Sequence, residues 1–330
     1  MVLSQVLEKP IDYVQMHVNQ DDLWKKVIAD LFEDFLLFFL PEFHSEVDFS
    51  KPIDFLQQEL FKEIIDERKG RKMADQIAKV QLKNGQEQWV LVHTEVQTND
   101  SEDFPQRMFQ YYYRIFDRYD KKIVAIVLFT RPSKISTNTY NYLYFGTELS
   151  YTFNKYVIAD FDEEELKNSP KLFSKALLAS IYMNRSNKKM SLRSNYKRAL
   201  LREVWSLKNI NRKEMSALLY FVDYLLRLPK EMSEKLQQEM RTEIRKEDAI
   251  MLESYKEDLP PTLAGILEME RREGIELGIE RGIEKGIEQG IKQIIISLIE
   301  NGFTDEVIAN VAKQTVKEVK AIRSACLEEK

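Results

Sequence analysis

Two neighbouring stretches rich in β-branched and apolar residues predict a β-hairpin in the first third of the chain. These stretches are Met73–Val80 and Trp89–Gln97, and the segment between them contains Asn84 and Gly85. An Asn-Gly pair suits a tight turn between antiparallel strands, because both residues tolerate positive φ. The composition of the second stretch is that of a buried strand, so other elements of the chain must pack against it.

Acidic and amide residues lie at one end of this predicted hairpin. Strand residues alternate between the two faces of a sheet, so Glu95 and Gln97 share one face and Val96 lies on the other. Asp75, on the adjoining strand, is expected to lie near Glu95. Carboxylate and amide oxygens suit Mg²⁺ or Mn²⁺, so this strand end is a candidate metal site. A solvated turn is the alternative interpretation of the same residues.

The rest of the first half predicts an α/β layer structure, in which helices pack against a mixed sheet. Ile123–Phe129 is almost entirely apolar, which is typical of a central strand covered on both faces. The other predicted elements are a helix that begins at Asp21 and is ended by Pro41, a helix from Pro105 to about Tyr119, and strands at Tyr140–Phe145 and Leu149–Ile158.

The predicted helix after Pro105 carries cations next to the polar strand end. Arg107 is the arginine closest to that strand end, and it is predicted to hold phosphate there. The later arginines are predicted to pair with local acids. Helical spacing separates two rows on this helix, one of Arg107, Tyr111, Arg114 and Arg118, and a second, predicted to be buried, of Phe109, Tyr112 and Phe116.

From Asp162 onwards the strand signals vanish, and helical patterns continue to Pro260-Pro261, which are predicted to close this region. The chain is therefore predicted to consist of an α/β core over 1–160, a helical region over 161–262, a repeat helix over 263–292 and a small helical segment over 293–330.

A basic segment lies within the helical region. Ten Lys and Arg residues and a single acid, Glu203, lie between Arg185 and Lys213, a local charge of about +9. The whole chain has a net charge of −5, which argues against a general nucleic-acid binder. Two interpretations stay open, a phosphate-binding patch and a solvated helix face. The first of them makes Lys188, Lys189 and Arg193 candidate DNA contacts.

A glycine repeat of period four runs from Gly274 to Gly290, with isoleucine and glutamate after most of its glycines. Five of the ten glycines of the chain lie here, and each costs a helix about 1 kcal/mol relative to alanine. A self-associating or docking helix is the favoured prediction, and a flexible tether is the alternative. After the repeat, Ile294–Leu327 predicts three short helices, a bundle that is compatible with DNA binding.

The sequence also predicts a cytoplasmic protein without membrane association. Cys326 is the only cysteine, which excludes an internal disulfide and fits a reducing compartment. The first residues lack a charged-then-apolar signal pattern. The longest apolar run, Phe35–Leu40, is far too short to cross a bilayer.

A long run of residues resembles the Rpn family of bacterial recombination-promoting nucleases and putative transposases, within the PD-(D/E)XK nuclease superfamily. The strongest part contains Asp75, then Glu95-Val96-Gln97, then Phe104–Tyr112. The Gly-Ile-Glu tail is also frequent in that family. The likeness covers most of the chain, and its other parts are Phe32–Phe35, Phe55–Leu60, Val80–Gly85, Ile123–Thr130, Phe221–Tyr224 and Leu228-Pro229.

The resemblance implies a PD-(D/E)XK nuclease-like fold and a metal-dependent DNA endonuclease linked to recombination or transposition. Asp75 and Glu95 match the acidic residues of the family motif, and Glu59 is positioned to complete the Mg²⁺ or Mn²⁺ site. Gln97 occupies the position where the wider superfamily usually has lysine. A neutral amide orients water but supplies no positive charge, and Lys79 on the same strand face as Asp75 is a partial substitute.

Three functions therefore stay open at this point. The first is an active endonuclease that uses Asp75, Glu95 and Gln97 to hydrolyse DNA. The second is a catalytically weak or inactive DNA-binding protein with the nuclease fold. The third is a scaffold that is built on the glycine-repeat tail and does not bind nucleic acid. In the first two cases DNA is the expected partner, and the glycine-repeat helix is expected to form a homodimer.

Overall fold

The computed structural model describes residues 19–56, 74–95, 103–207, 210–243 and 252–328. The chain divides into two compact units, Met1–Gly265 and Ile266–Lys330. The boundary between them falls inside one long helix, Pro261–Glu300. Each unit is described separately below.

The first unit contains a mixed five-stranded sheet and a separate two-stranded sheet. In the larger sheet the strand order is β1-β2-β3-β4-β7, antiparallel from β1 to β3 and parallel from β3 to β7. The smaller sheet is the antiparallel pair β5 and β6. The strands are β1 (Asp54–Phe55), β2 (Ala74–Gln81), β3 (Glu87–Glu95), β4 (Ile123–Phe129), β5 (Thr139–Tyr144), β6 (Thr147–Thr152) and β7 (Asn154–Val157).

The predicted hairpin is present as β2 and β3. Gly85 has φ +82, the left-handed conformation that its lack of a side chain permits, and its N–H donates to the carbonyl of Leu82 at 2.8 Å. The N–H of Leu82 donates in turn to the carbonyl of Gln86 at 2.8 Å, which closes the turn. Local turn chemistry thus produces the connection that Asn84 and Gly85 predicted.

β4 lies in the interior of the sheet, as its apolar composition predicted. Ile126 and Leu128 are fully buried on one face, and Ala125, Val127 and Phe129 are buried on the other. Because both faces of this strand are covered, apolar residues occupy successive positions and do not alternate with polar ones. The predicted strand over Leu149–Ile158 is instead divided between β6 and β7, which belong to different sheets.

Helices surround the large sheet and form most of the rest of the unit. α6 is buried over Phe173–Met183 and contacts α2, α5, α7 and α8, which makes it the centre of the helical layer. The helices are α1 (Gln20–Asp30), α2 (Phe32–Phe39), α3 (Pro41–Glu46), α4 (Phe104–Tyr119), α5 (Glu163–Asn168), α6 (Phe173–Arg185), α7 (Met190–Trp205), α8 (Arg212–Leu225), α9 (Lys230–Arg241) and α10 (Pro261–Glu300).

Two prolines that were predicted to end helical segments also begin new helices. The helix before Pro41 ends at Phe39, as predicted, and Pro41 is the first residue of α3, while Pro261 is the first residue of α10. Proline is well tolerated in the first turn, because its missing N–H has no intrahelical acceptor there. The predicted single helix before Pro41 is also interrupted, at Leu31, where φ is −116 and ψ is 35.

α4 covers one face of the sheet, and its buried stripe differs from the predicted one. The buried residues of this helix include Phe104, Met108, Tyr111 and Ile115. Phe116, which was expected to be buried, is 42% exposed. The row that contains it turns towards the small hairpin instead, where Phe109 stacks on Tyr140 at 5.3 Å and Tyr112 contacts Tyr151 at 4.9 Å.

The second unit contains most of α10, then α11 (Asp305–Ala312) and α12 (Val316–Glu328). Ile294–Asn301, predicted as a separate helix, is the end of α10. The glycine repeat is helical throughout, and a Cβ added at any of its five glycines would meet no atom within 4 Å. Its isoleucines are largely exposed, at 53% for Ile275 and 59% for Ile287.

The structure also bears on the membrane. Over the described parts of the chain, no helix combines the length and the apolar character that crossing a bilayer requires.

Candidate functional site

The register of β2 and β3 places the two predicted catalytic acids on one face of the sheet. Asp75 lies opposite His93, and Glu95 lies two residues further along β3. Residues in this diagonal relation have Cα atoms about 7–8 Å apart on the same face. On its other side, Glu95 lies opposite Phe129 of the parallel strand β4. For Asp75, His93 and Glu95 the backbone alone is described.

This face of the sheet is the one that α4 covers. Ile77 and Trp89 have the same strand parity as Asp75 and Glu95, and both belong to the core cluster that contains Met108 of α4. The two acids therefore occupy positions at the end of the sheet face on which α4 packs. Such an end is where a sheet core meets solvent and where a substrate has access to strand residues.

Arg107 lies near the same end of that face. Its guanidinium stacks over the ring of Phe104 at 5.2 Å, and Phe104 contacts Phe129, the register partner of Glu95, at 5.2 Å. Nε and Nη2 of Arg107 are buried without a hydrogen-bond partner in the portion of the chain that is described. A buried guanidinium is stabilised by an anion, so this position suits a carboxylate or a phosphate.

Lys79 is at the other end of β2. It lies four residues from Asp75, about 13 Å along an extended strand. Its Nζ is 3.6 Å from Oδ2 of Asp54 and 5.4 Å from the ring of Trp89. The backbone positions therefore put Lys79 too far from Asp75 to supply a cation beside it.

The remaining predicted ligands lie outside what the structure covers. Glu59 and Gln97 are not among the described residues. Among the side chains that are described, no group of three or more His, Cys, Asp and Glu lies close enough to hold a metal ion. The three predicted metal ligands are not among those side chains. Two carboxylates on one sheet face are the donor set that a hard divalent cation requires, so the residues fit Mg²⁺ or Mn²⁺.

The three predicted DNA contacts of the basic segment differ in their surroundings. Lys188 and Lys189 are exposed between α6 and α7, and Lys188 has φ +62. Arg193 is partly buried, and its Nε donates to Oγ of Ser186 at 3.2 Å while Nη1 reaches the carbonyl of Arg227 at 3.5 Å. Burial lowers the pKa of this guanidinium. The two lysines are therefore the more available phosphate contacts.

Much of the charge of the basic segment is neutralised within the first unit. The acids that do this are distant in sequence, which is why the sequence pattern did not reveal them. The ion pairs are Arg185 with Glu163, Lys197 with Asp223 at 2.7 Å, Arg198 with Glu239 at 3.2 Å, Arg202 with Glu243 at 3.2 Å and Arg212 with Asp258 at 2.8 Å.

Comparisons with protein-family models, with curated proteins and with solved structures find no match for this chain. The arrangement of the strand end and the resemblance of its residues are therefore the basis for a functional assignment.

Proposed function

We propose that the chain is a metal-dependent DNA endonuclease linked to recombination or transposition, with a PD-(D/E)XK nuclease-like core. The observation that carries this proposal is the strand register, in which Asp75 and Glu95 are diagonal neighbours on the sheet face beneath α4. Arg107 supports it, because its buried Nε and Nη2 have no hydrogen-bond partner among the described residues, and a guanidinium so placed suits a phosphodiester. The resemblance to the Rpn family assigns the same two acids.

Each residue has a distinct role in this proposal. Asp75 and Glu95, with Glu59, hold one Mg²⁺ or Mn²⁺. A divalent ion of this kind, when bound, neutralises phosphate charge and makes water a better nucleophile. Gln97 orients the attacking water through its amide, and Arg107 binds a non-bridging phosphate oxygen.

A second candidate is a DNA-binding protein with the nuclease fold and little or no catalysis. The observation that favours it is the position of Lys79, which is held by Asp54 and Trp89 far from Asp75 and supplies no cation to the strand end. With a neutral residue at position 97, positive charge beside the attacking water then depends on Arg107 alone among the residues we assign to the site.

Both candidates include a homodimer formed through α10. Its glycine repeat has open space at every glycine and a row of exposed isoleucines, so a second helix has room to approach closely. A four-residue repeat advances about 40° per repeat on a helix of 3.6 residues per turn, so the partner helix must cross or wind in the right-handed sense.

The experiment that tests hydrolysis is plasmid nicking in the presence of Mg²⁺ or Mn²⁺. We expect Asp75→Ala and Glu95→Ala to lose the activity of the wild-type chain. Asp54→Asn is the matched control, because Asp54 is an acid of the same sheet that pairs with Lys79 at the far end of β2. Nicking by both alanine variants at the wild-type rate would show that the site is wrongly assigned.

Two further variants separate the candidates. If a missing cation limits catalysis, Gln97→Lys maintains or increases nicking, whereas Arg107→Ala decreases it. A wild-type chain that binds DNA but never nicks it, together with a Gln97→Lys variant that does, would establish the second candidate. Loss of nicking in Gln97→Lys with the fold intact would show that the amide itself is required.

A further inference from the structure

The end of the second unit contains two helices joined by a tight turn. α11 ends at Ala312 and is capped by Lys313, whose φ of +52 is left-handed and whose N–H donates to the carbonyl of Ala309. α12 begins three residues later with a reciprocal cap. The N–H of Thr315 donates to Oε2 of Glu318 at 2.9 Å, and the N–H of Glu318 donates to Oγ1 of Thr315 at 3.3 Å. A left-handed residue followed by an N-cap forces a change of direction, so α12 cannot continue α11.

A small core fixes these two helices against the end of α10. Ile308 and Ala309 of α11, Val319 of α12 and Ile295 of α10 are buried together. Ile308 and Ala309 lie in α11 before the turn, and the small side chain of Ala309 lets α12 pack closely. Arg323 adds a second attachment, because its Nε donates to Oδ1 of Asp305 at 2.7 Å.

The outer face of α12 carries positive charge and small side chains. Lys317, Lys320, Ala321 and Ser324 are exposed, and their spacing puts them on one side of the helix. Lys313 is exposed at the adjoining turn. None of these three lysines has an ion pair with another residue of the described unit. Glu318, the acid closest to them on α12, is turned back to cap Thr315, and these hydrogen bonds lower its pKa.

We propose that residues 291–328 form a helix-turn-helix module that places α12 in the major groove of duplex DNA. Three helices around one small core, with a tight turn before an exposed helix, are the architecture by which such modules present a recognition helix. The lysines bind phosphates on either side of the groove. Ala321 can contact a thymine methyl group and the hydroxyl of Ser324 can hydrogen-bond to a base edge.

The lysines of the outer face of α12 and its lack of large apolar side chains favour DNA over a protein as the partner. The large exposed apolar side chains of the described module are Ile294 of α10, Phe303 in the turn before α11, and Val307 and Val311 of α11. Over residues 316–325, α12 exposes no large apolar side chain. The proposal is independent of nuclease activity, because it concerns binding by the second unit alone.

The test measures DNA binding by the full-length chain in the presence of EDTA. Fluorescence anisotropy of a labelled duplex gives the binding constant K at each of a range of salt concentrations. We expect Lys317→Ala and Lys320→Ala each to reduce the slope of log K against log salt by about 0.9. Lys285→Ala and Lys285→Gln are the matched controls, since this lysine is exposed on α10 of the same unit and lies outside the proposed module. They are expected to leave the slope unchanged.

A second variant tests the approach of the helix to the groove. Ala321→Glu adds an anion to the proposed interface without removing a lysine, and like-charge contact should weaken binding at least roughly tenfold. Gln289→Glu, at an exposed position of α10 outside the proposed module, is the control for added charge. Circular dichroism checks that each variant keeps its helices.

Three results would overturn the proposal. One is an unchanged slope in both α12 lysine variants. Another is an equal loss of slope in the α10 lysine controls, which would reveal an unspecific charge effect. The third is an Ala321→Glu variant that binds DNA normally but changes the oligomeric state in light scattering, which would make this face a protein interface.

Discussion

We expect Asp223→Ala to destabilise the first unit more than the loss of any exposed ion pair would. Asp223 and Lys197 have side chains that are each 4% exposed, and Nζ of the lysine is 2.7 Å from Oδ1 of the aspartate. Lys197 also donates to the carbonyl of Asp223 at 3.0 Å. At the start of α10, the N–H of Thr262 donates to Oδ2 at 3.1 Å and its hydroxyl donates to Oδ1. One carboxylate thus joins α7, α8 and α10.

The size of the effect follows from what the substitution leaves behind. Asp223→Ala leaves a buried ammonium without its counter-charge, and breaking a buried pair in this way costs about 3–5 kcal/mol. Unfolding entropy is about 2.1 cal/mol/K per residue, so a unit of about 265 residues has about 0.55 kcal/mol/K. The midpoint of thermal unfolding should therefore decrease by about 5–9 °C.

Thermal unfolding followed by circular dichroism, with urea titration for the free energy, measures this effect. Lys26→Ala is the control, because Lys26 is 69% exposed and its pair with Asp30 should contribute no more than about 1 kcal/mol. The double variant Lys197→Met/Asp223→Leu removes both charges and should recover part of the loss. A decrease below about 2 °C for Asp223→Ala, or a double variant as unstable as the single one, would refute the reasoning.

Three further predictions concern other parts of the chain. Burial raises the pKa of Asp34, so Asp34→Asn should raise the unfolding midpoint at pH 7, and this gain should diminish as the pH falls towards 3.8. Gly278→Ala and Gly282→Ala should each stabilise α10 by about 1 kcal/mol; if close helix packing forms the dimer, light scattering should nevertheless show weaker self-association. Reversing charge at Lys188 and Lys189 should reduce the salt slope of DNA binding if they contact phosphate, and an unchanged slope would identify a solvated surface.

Features that depend on neighbours in sequence could be predicted well. The turn at Gly85 requires a residue that accepts positive φ, and an Asn-Gly pair predicts this turn from the local sequence alone. The apolar run of β4 likewise predicts a strand covered on both faces, because period and composition are local properties. The hairpin also predicted that Asp75 lies near Glu95, whereas the register of β2 and β3 decides that the two residues share a face.

Features that depend on distant residues required the three-dimensional structure. α4 has more than one apolar row. The row of Met108 and Ile115 packs against the sheet, and the row of Phe109 packs against the small hairpin. The partners of the basic segment, such as Asp223 for Lys197, are separated from it by many residues, so its net charge could not be read from the local run. Burial and ion pairing are set by what packs against a surface, and a linear pattern identifies the surface but not its neighbour.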